Sequence, residues 1–247
     1  MSLSSAIESN RLSRVKDALH ELSRECVRLS AERTTDSKTP IGISKFGGEP
    51  DVPPSFDWPM WDDEPMTFLG QINCQQISQI LAPSFFPDSG LLYFFNFVDV
   101  DGCYDITESD EPTYVVRHID ASDLKRTEMP ESTHELEYCT RLLTPTLGVS
   151  IPDLTDPTTV DLDLSDSERQ AYTKLFLDLG GAEHQLFGHP ALIQPYPSSF
   201  KNRDLLLQVI SDTEDHDFMW GDCGYLYFMI PRGSGNPIEE SIAEIAS

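Results

Sequence analysis

Four short signatures occur twice along this chain, in the same order and at nearly equal intervals, and they restrict the fold more than any local periodicity does. The first set is Phe46-Gly47-Gly48-Glu49-Pro50, Trp58-Pro59, Leu69-Gly70-Gln71-Ile72 and Asp88-Ser89-Gly90-Leu91-Leu92-Tyr93-Phe94-Phe95. The second is Leu186-Phe187-Gly188-His189-Pro190, Tyr196-Pro197, Leu206-Leu207-Gln208-Val209 and Asp222-Cys223-Gly224-Tyr225-Leu226-Tyr227-Phe228-Met229. Each set reads as a G-x-P turn, an aromatic-Pro bend, a strand carrying one glutamine, and a D-x-G turn launching an aromatic strand. Neither set has enough strands to close a sheet alone. The expectation is an internally duplicated, mainly β (β-rich α+β) roll whose copies pack as pseudo-symmetric parts of one core.

Outside the repeats, Val15, Leu19, Leu22, Cys26 and Leu29 follow a 4-3-4-3 spacing. That predicts an amphipathic helix whose stripe docks on the body or, given its heptad-like period, on a second copy. Prolines exclude regular helix across residues 50–59, and strands are predicted over 68–72, 90–98, 114–119, 136–143, 205–211 and 224–231, with a short helix over 74–81. Ser165 and Glu168 form an S-x-x-E capping box, Tyr172, Leu175, Phe176 and Leu179 share one face of the helix that follows, and Gly180 and Gly181 end it. The acidic, Thr-rich run 147–163 reads as a linker, and 238–245 as a short helix. The resulting division is a helix and linker over 1–39, one domain over 40–231 made of repeats at about 41–98 and 184–231, and a tail over 232–247.

Forty-two acidic residues against seventeen basic ones give a formal charge of −25, which repels nucleic-acid phosphate and anionic membrane. Such a surface serves either solubility alone or docking to a basic protein partner. The five cysteines are odd in number, far apart and without a C-x-x-C pair, so free thiols in a reducing compartment are expected. Glu8, Arg11 and Arg14 interrupt the N-terminal segment, which lacks a signal-peptide apolar core, and no run is long enough to cross a bilayer. A cytoplasmic protein is the expectation.

Hydrolase, zinc-protease, P-loop and dinucleotide motifs are absent, so no catalytic residue is assigned. Asp99, Asp101, Gly102 and Asp105 fit an Asp-Gly hairpin better than an EF-hand loop. His184, His189, His216, Asp212 and Asp222 form the best metal or acid-base constellation, but zinc needs three such groups to converge, which spacing does not establish; no metal and no cofactor are expected. Asp88 and Asp222 suit the turns they occupy. Gln71 and Gln208 interrupt apolar strands and must bond either to backbone or to a ligand. His189 stands where the first copy has Glu49, so the two either pair across the halves or lie exposed in turns. The binding candidates are therefore His189, Gln71, Gln208 and Asp222, together with Trp58 and Trp220, which with Phe56 and Trp61 serve either as aromatic anchors for a partner or as core.

The same signatures, with Lys45 ahead of the first, Phe68 ahead of the Gln71 strand, His184-Gln185 ahead of the second G-x-P turn and Trp220-Gly221 ahead of Asp222, resemble the YwqG-like family of unknown function over about 41–231. The resemblance implies a mainly β, roll-like fold with a few helices, and implies no activity, cofactor or catalytic residue. Relatives lie near bacterial secreted-toxin loci, which implies an immunity or interaction role. After Pro231 the chain departs from the family pattern, ending in a short Gly-Pro-containing tail. Together these readings point to a non-enzymatic acidic module that binds a basic protein, such as an immunity or antagonist protein. The alternative is a small-molecule-binding protein or enzyme with a pocket between the two repeats.

Overall fold

The structure is a computed structural model, and it describes residues 2–97, 113–132, 137–212 and 218–247. In chain order its elements are α1 (Leu3–Ser9), α2 (Lys16–Leu22), β1 (Arg24–Arg33), β2 (Lys45–Phe46), β3 (Thr67–Asn73), α3 (Cys74–Ser78), β4 (Leu91–Asn96), β5 (Tyr114–Ile119), β6 (Arg141–Ser150), α4 (Asp166–Asp178), β7 (Gln185–Leu186), β8 (Arg203–Ile210), β9 (Tyr225–Pro231) and β10 (Ile242–Ala246). The ten strands form one antiparallel sheet in the order β10-β9-β8-β7-β1-β6-β2-β3-β4-β5. Two two-residue ribbons, Asp51–Val52 with Lys125–Arg126 and Met60–Trp61 with Glu64–Pro65, lie outside it.

The long pair β1–β6 runs from Arg24 opposite Ser150 to Arg33 opposite Arg141 and stands at the centre. On either side the chain adds a two-residue strand, a long strand with a bulge, an aromatic strand and an edge strand. The bulges fall between Phe68 and Gly70 in β3 and between Leu205 and Leu207 in β8. Each adds local twist, and the sheet curls until the inner faces of its two wings meet. Phe94 of β4 packs edge-on against Phe228 of β9 with ring centroids 4.9 Å apart, and Tyr114 of the edge strand β5 reaches Phe228 at 6.3 Å. The sheet is thus nearly closed, with Val27, Leu29, Phe46, Leu92, Leu186, Leu206 and Phe228 in one shared core. Near closure shields the edge strands that an open sheet would expose.

Three further clusters cover the outside. Phe56, Trp58 and Trp61 pack over Phe68, Tyr93 and Phe95 on one wing, and Tyr196, Phe200 and Leu192 over Leu205, Tyr227 and Met229 on the other. Between them α1, α2 and α4 bury Ile7, Val15, Leu19, Tyr172 and Leu175 together. Helix α4 carries the expected capping box, with both the Ser165 and the Glu168 side chains engaged.

Several expectations are corrected. The stripe from Val15 to Leu29 does not form one helix: α2 ends at Leu22, Ser23 is extended, and Cys26 and Leu29 lie in β1. Cross-strand bonding to β6 and β7 outweighs a period that seven residues of helix satisfy only locally. Val15 and Leu19 do dock on the body, against α1 and α4. Residues 147–150 are no linker but the end of β6; Pro145 fits inside that strand because β2 covers its second side only at Arg141 and Leu142. The strand expected over 136–143 therefore starts at Arg141 and runs on to Ser150. In place of a helix over 238–245, β10 pairs with β9. The sheet thus takes in β1 and β10, both outside 40–231. Asp99, Asp101, Gly102 and Asp105 lie outside the described residues.

Candidate functional site

Strands β2 and β7 both run into two residues of left-handed backbone, Gly47 (φ 59°) and Gly48 (φ 66°) in one case, Phe187 (φ 63°) and Gly188 (φ 74°) in the other. A side chain at Gly48 would put its Cβ 2.4 Å from both the Asp36 carboxylate and the Thr140 hydroxyl, so glycine is required there. Phe187 adopts a conformation costly for a bulky residue, with its ring held edge-on by Phe85 and Phe86 at 5.7 and 5.0 Å.

Side chains from comparable places, alike in two cases and different in two, then fix the chain after each turn. The Glu49 amide donates to Asp36 Oδ2 at 2.9 Å, and the His189 amide to Ser150 Oγ at 2.9 Å. Lys45 Nζ donates to the Glu49 carbonyl, and Gln185 Nε2 to the His189 carbonyl at 2.7 Å. Gln71 Oε1 accepts the Asp51 amide at 2.9 Å while its Nε2 donates to Ile43 O and Asp51 Oδ2, both at 2.8 Å. Gln208 Oε1 accepts the Ala191 amide at 2.8 Å and its Nε2 donates to Glu183 O at 2.9 Å. Tyr93 and Tyr227 donate their hydroxyls to Asp51 O and Ala191 O, each at 2.6 Å. Fully buried glutamines with these partners serve the backbone.

Each turn borders a groove. Beside Gly48 lies one of about 90 Å³ that is lined by Asp36, Glu49, Trp58, Thr67, Phe68 and Glu137 among others. Beside Gly188 lies one of about 130 Å³ lined by His189, Tyr196, Asp204 and Leu205 in the corresponding positions, with Arg24, Arg203 and Arg232 added. It opens into a wider cleft of about 400 Å³ walled by Pro83, Phe85 and Phe187. One backbone frame thus carries an acidic groove on one wing and an arginine-rich one on the other.

Burial sets the charge states. Lys45, fully buried, lies 2.5 Å from Asp36 Oδ1, and Arg126 Nε lies 2.9 Å from Asp51 Oδ1. Burial lowers the Lys45 pKa against the pull of Asp36. Glu49 is raised, first by burial and then by the like charges of Asp36 and Glu128. His189 is lowered to about 4 by burial and by Arg24, so it is neutral near pH 7; its Nε2–H donates to Leu22 O at 2.7 Å. His184 is also lowered to about 4, by burial and then by Arg141, and its Nδ1 accepts the Ile210 amide at 3.1 Å.

The sequence candidates do not converge. Gln71 and Gln208 are interior, Asp222 is exposed at a turn with no hydrogen bond among the described residues, and Trp220 is fully buried, stacked on Phe218 at 5.9 Å. His189 and Trp58 are the two that reach grooves, one on each wing. Glu49 and His189 lie on different wings, so no ion pair joins them. Among the described residues no three His, Cys, Asp or Glu side chains group to hold a metal, and His216 lies outside them. Cys26, Cys74 and Cys223 are free thiols, and Cys103 lies outside the described residues. The residues that sequence reasoning missed are Arg24, Arg203, Arg232 and Glu137, which sit singly in the sequence and meet only through the sheet.

Among the described residues no helix is long and apolar enough to cross a membrane. No curated protein matches the chain. The profile of a family described as a domain of unknown function, DUF1963, matches residues 44–233, which takes in both grooves' turns, and the chain belongs to that family.

Proposed function

We propose that the protein is a non-enzymatic binding module that takes a cationic side chain of a basic protein partner into the acidic groove of its first wing. The observation that carries this is Glu49: its carboxylate is half-buried beside Trp58 and Glu137, repelled by Asp36 and Glu128 against the opposing pull of Lys45 and Arg126, and bonded to no cation among the described residues. A lysine or arginine entering there relieves like-charge repulsion while its stem packs on Trp58 and Met129. The charge of −25 steers such a partner from a distance.

We further identify the family with the YwqG-like proteins that the motifs resemble, and we read the two wings as copies of one ancestral unit. The paired turns, glutamines, tyrosines and bulges support that reading. Cytoplasmic action on a basic effector, as an immunity or antagonist protein, is the form of binding we adopt. Titration of a lysine- and arginine-containing peptide into the protein tests the groove. Binding should weaken several-fold in Glu49→Gln/Glu137→Gln and stay unchanged in Asp161→Asn/Glu239→Gln, which removes the same charge elsewhere. Equal losses in both would mean diffuse attraction and would end the proposal.

A further inference from the structure

The arginine-rich cleft of the second wing is a distinct site, independent of the acidic groove. Arg24 enters it from the first residue of β1, Arg203 from the first residue of β8, and Arg232 from just beyond β9. Three of only seventeen basic residues thus meet in one cleft of a chain with charge −25. Solubility gives no reason for such a concentration, because like charges repel and isolated lysines and arginines would serve as well.

The hydrogen bonds show what these groups have left to offer. Arg24 NH1 and Arg232 Nε both donate to a single oxygen, Asp204 Oδ1, at 3.1 and 2.9 Å, and Arg232 NH2 lies 2.9 Å from the same atom. Among the described residues Arg203 NH1 meets only a neutral carbonyl, Glu240 O, at 3.2 Å. A guanidinium has five N–H donors, so most of the donors of Arg24 and Arg232 are unspent on the described residues. Of the nearby acids, Asp156 Oδ1 is taken up by the amide and hydroxyl of Thr158 at 2.8 and 2.6 Å, and Glu25 is exposed on the rim of the wide part. Asp204 therefore acts as a clamp that holds two guanidinium forks side by side. Phe85, Phe187 and Pro83 add an apolar wall beside them. On the same frame in the first wing, Glu49 stands in place of His189 and Thr67 in place of Asp204, and no arginine is among the described residues that line the groove.

We propose that this cleft binds a small organic oxyanion, a phosphate or carboxylate head on a flat apolar body, with the head on Arg24 and Arg232 and the body against Phe85 and Phe187. Planar guanidinium forks match both heads bidentately, and a mostly apolar concavity with a few convergent donors is the usual form of a small-molecule site.

Phenyl phosphate, benzoate, inorganic phosphate and benzyl alcohol are titrated separately into the full chain by calorimetry. Phenyl phosphate or benzoate should bind saturably with Kd below about 1 mM, more weakly as salt rises, and benzyl alcohol should not bind. Arg24→Gln and Arg232→Gln should each weaken binding about tenfold, the scale of a charge-assisted hydrogen bond, whereas Arg169→Gln on α4 should not. Both cleft arginines are exposed, and their pairs with Asp204 contribute little to folding. Phe85→Ala supplies a second reading that leaves the charges intact: it should weaken phenyl phosphate and leave inorganic phosphate unchanged. Absence of saturable binding, equal loss in Arg169→Gln and Arg24→Gln, or phenyl phosphate no tighter than inorganic phosphate would overturn the proposal. The peptide titration on Glu49 and Glu137 is unaffected by any of these outcomes.

Discussion

Gln71 grips Asp51 at two points, accepting its amide at 2.9 Å and donating to its carboxylate at 2.8 Å. Both residues are fully buried, and among the described residues the carboxylate's one ion pair is with Arg126, at 2.9 Å. Gln71→Ala therefore orphans a buried amide and part of a buried charge, and should cost roughly 3 to 5 kcal/mol. Gln208→Ala, which orphans only the neutral groups of Ala191 and Glu183, should cost about 2 to 3 kcal/mol. Urea unfolding of the two variants checks both the size and the order, and a larger loss at Gln208 would contradict this account.

Lys45→Met should be strongly destabilising, by about 3 to 5 kcal/mol, because it leaves Asp36 and the Glu49 carbonyl facing a buried apolar group. Adding Asp36→Asn should recover part of the loss. A double-mutant cycle on the melting temperature measures that recovery, and strict additivity would mean that the pair is not coupled.

Trp220 and Asp222, two residues apart, should behave oppositely. Trp220→Ala empties a fully buried site and should cost about 3 to 5 kcal/mol. The turn at Asp222 is held instead by the Gly224 amide on Trp220 O at 2.7 Å, so Asp222→Ala should change stability by no more than about 0.5 kcal/mol. The sequence alone suggested an aspartate that serves its turn, and a measured loss near ~1 kcal/mol, the scale of a lost hydrogen bond, would restore that reading.

Stability should fall in mild acid. His184 and His189 bind protons at about 4 in the folded chain and near the ordinary value of 6.5 when unfolded. Between those values the unfolded chain holds more protons, so stability is full above about pH 6.5, declines as pH falls toward 4 and levels off below. Each histidine contributes up to about 3 kcal/mol to this loss. His189→Gln should flatten part of the slope in equilibrium unfolding between pH 7 and 4, and an unchanged slope would show that burial does not set the charge of this histidine.

The sequence by itself determined the local chemistry: left-handed glycines at the two turns, one glutamine in each of β3 and β8, the Ser165–Glu168 cap, and the aromatic strands β4 and β9. These follow from short-range rules of backbone sterics, capping and alternation, which act wherever the residues are placed. Tertiary structure decided the rest. Cys26 and Leu29 belong to a strand because ten cross-strand partners in β6 outweigh a helical period, and Ile242–Ala246 is a strand because β9 offers it an open edge. The two grooves were legible only at Trp58 and His189. Glu137 reaches Glu49, and Arg24 reaches Arg232, only after the sheet brings together segments far apart in the chain, and charged residues at strand ends carry no periodic signal that would foretell the meeting.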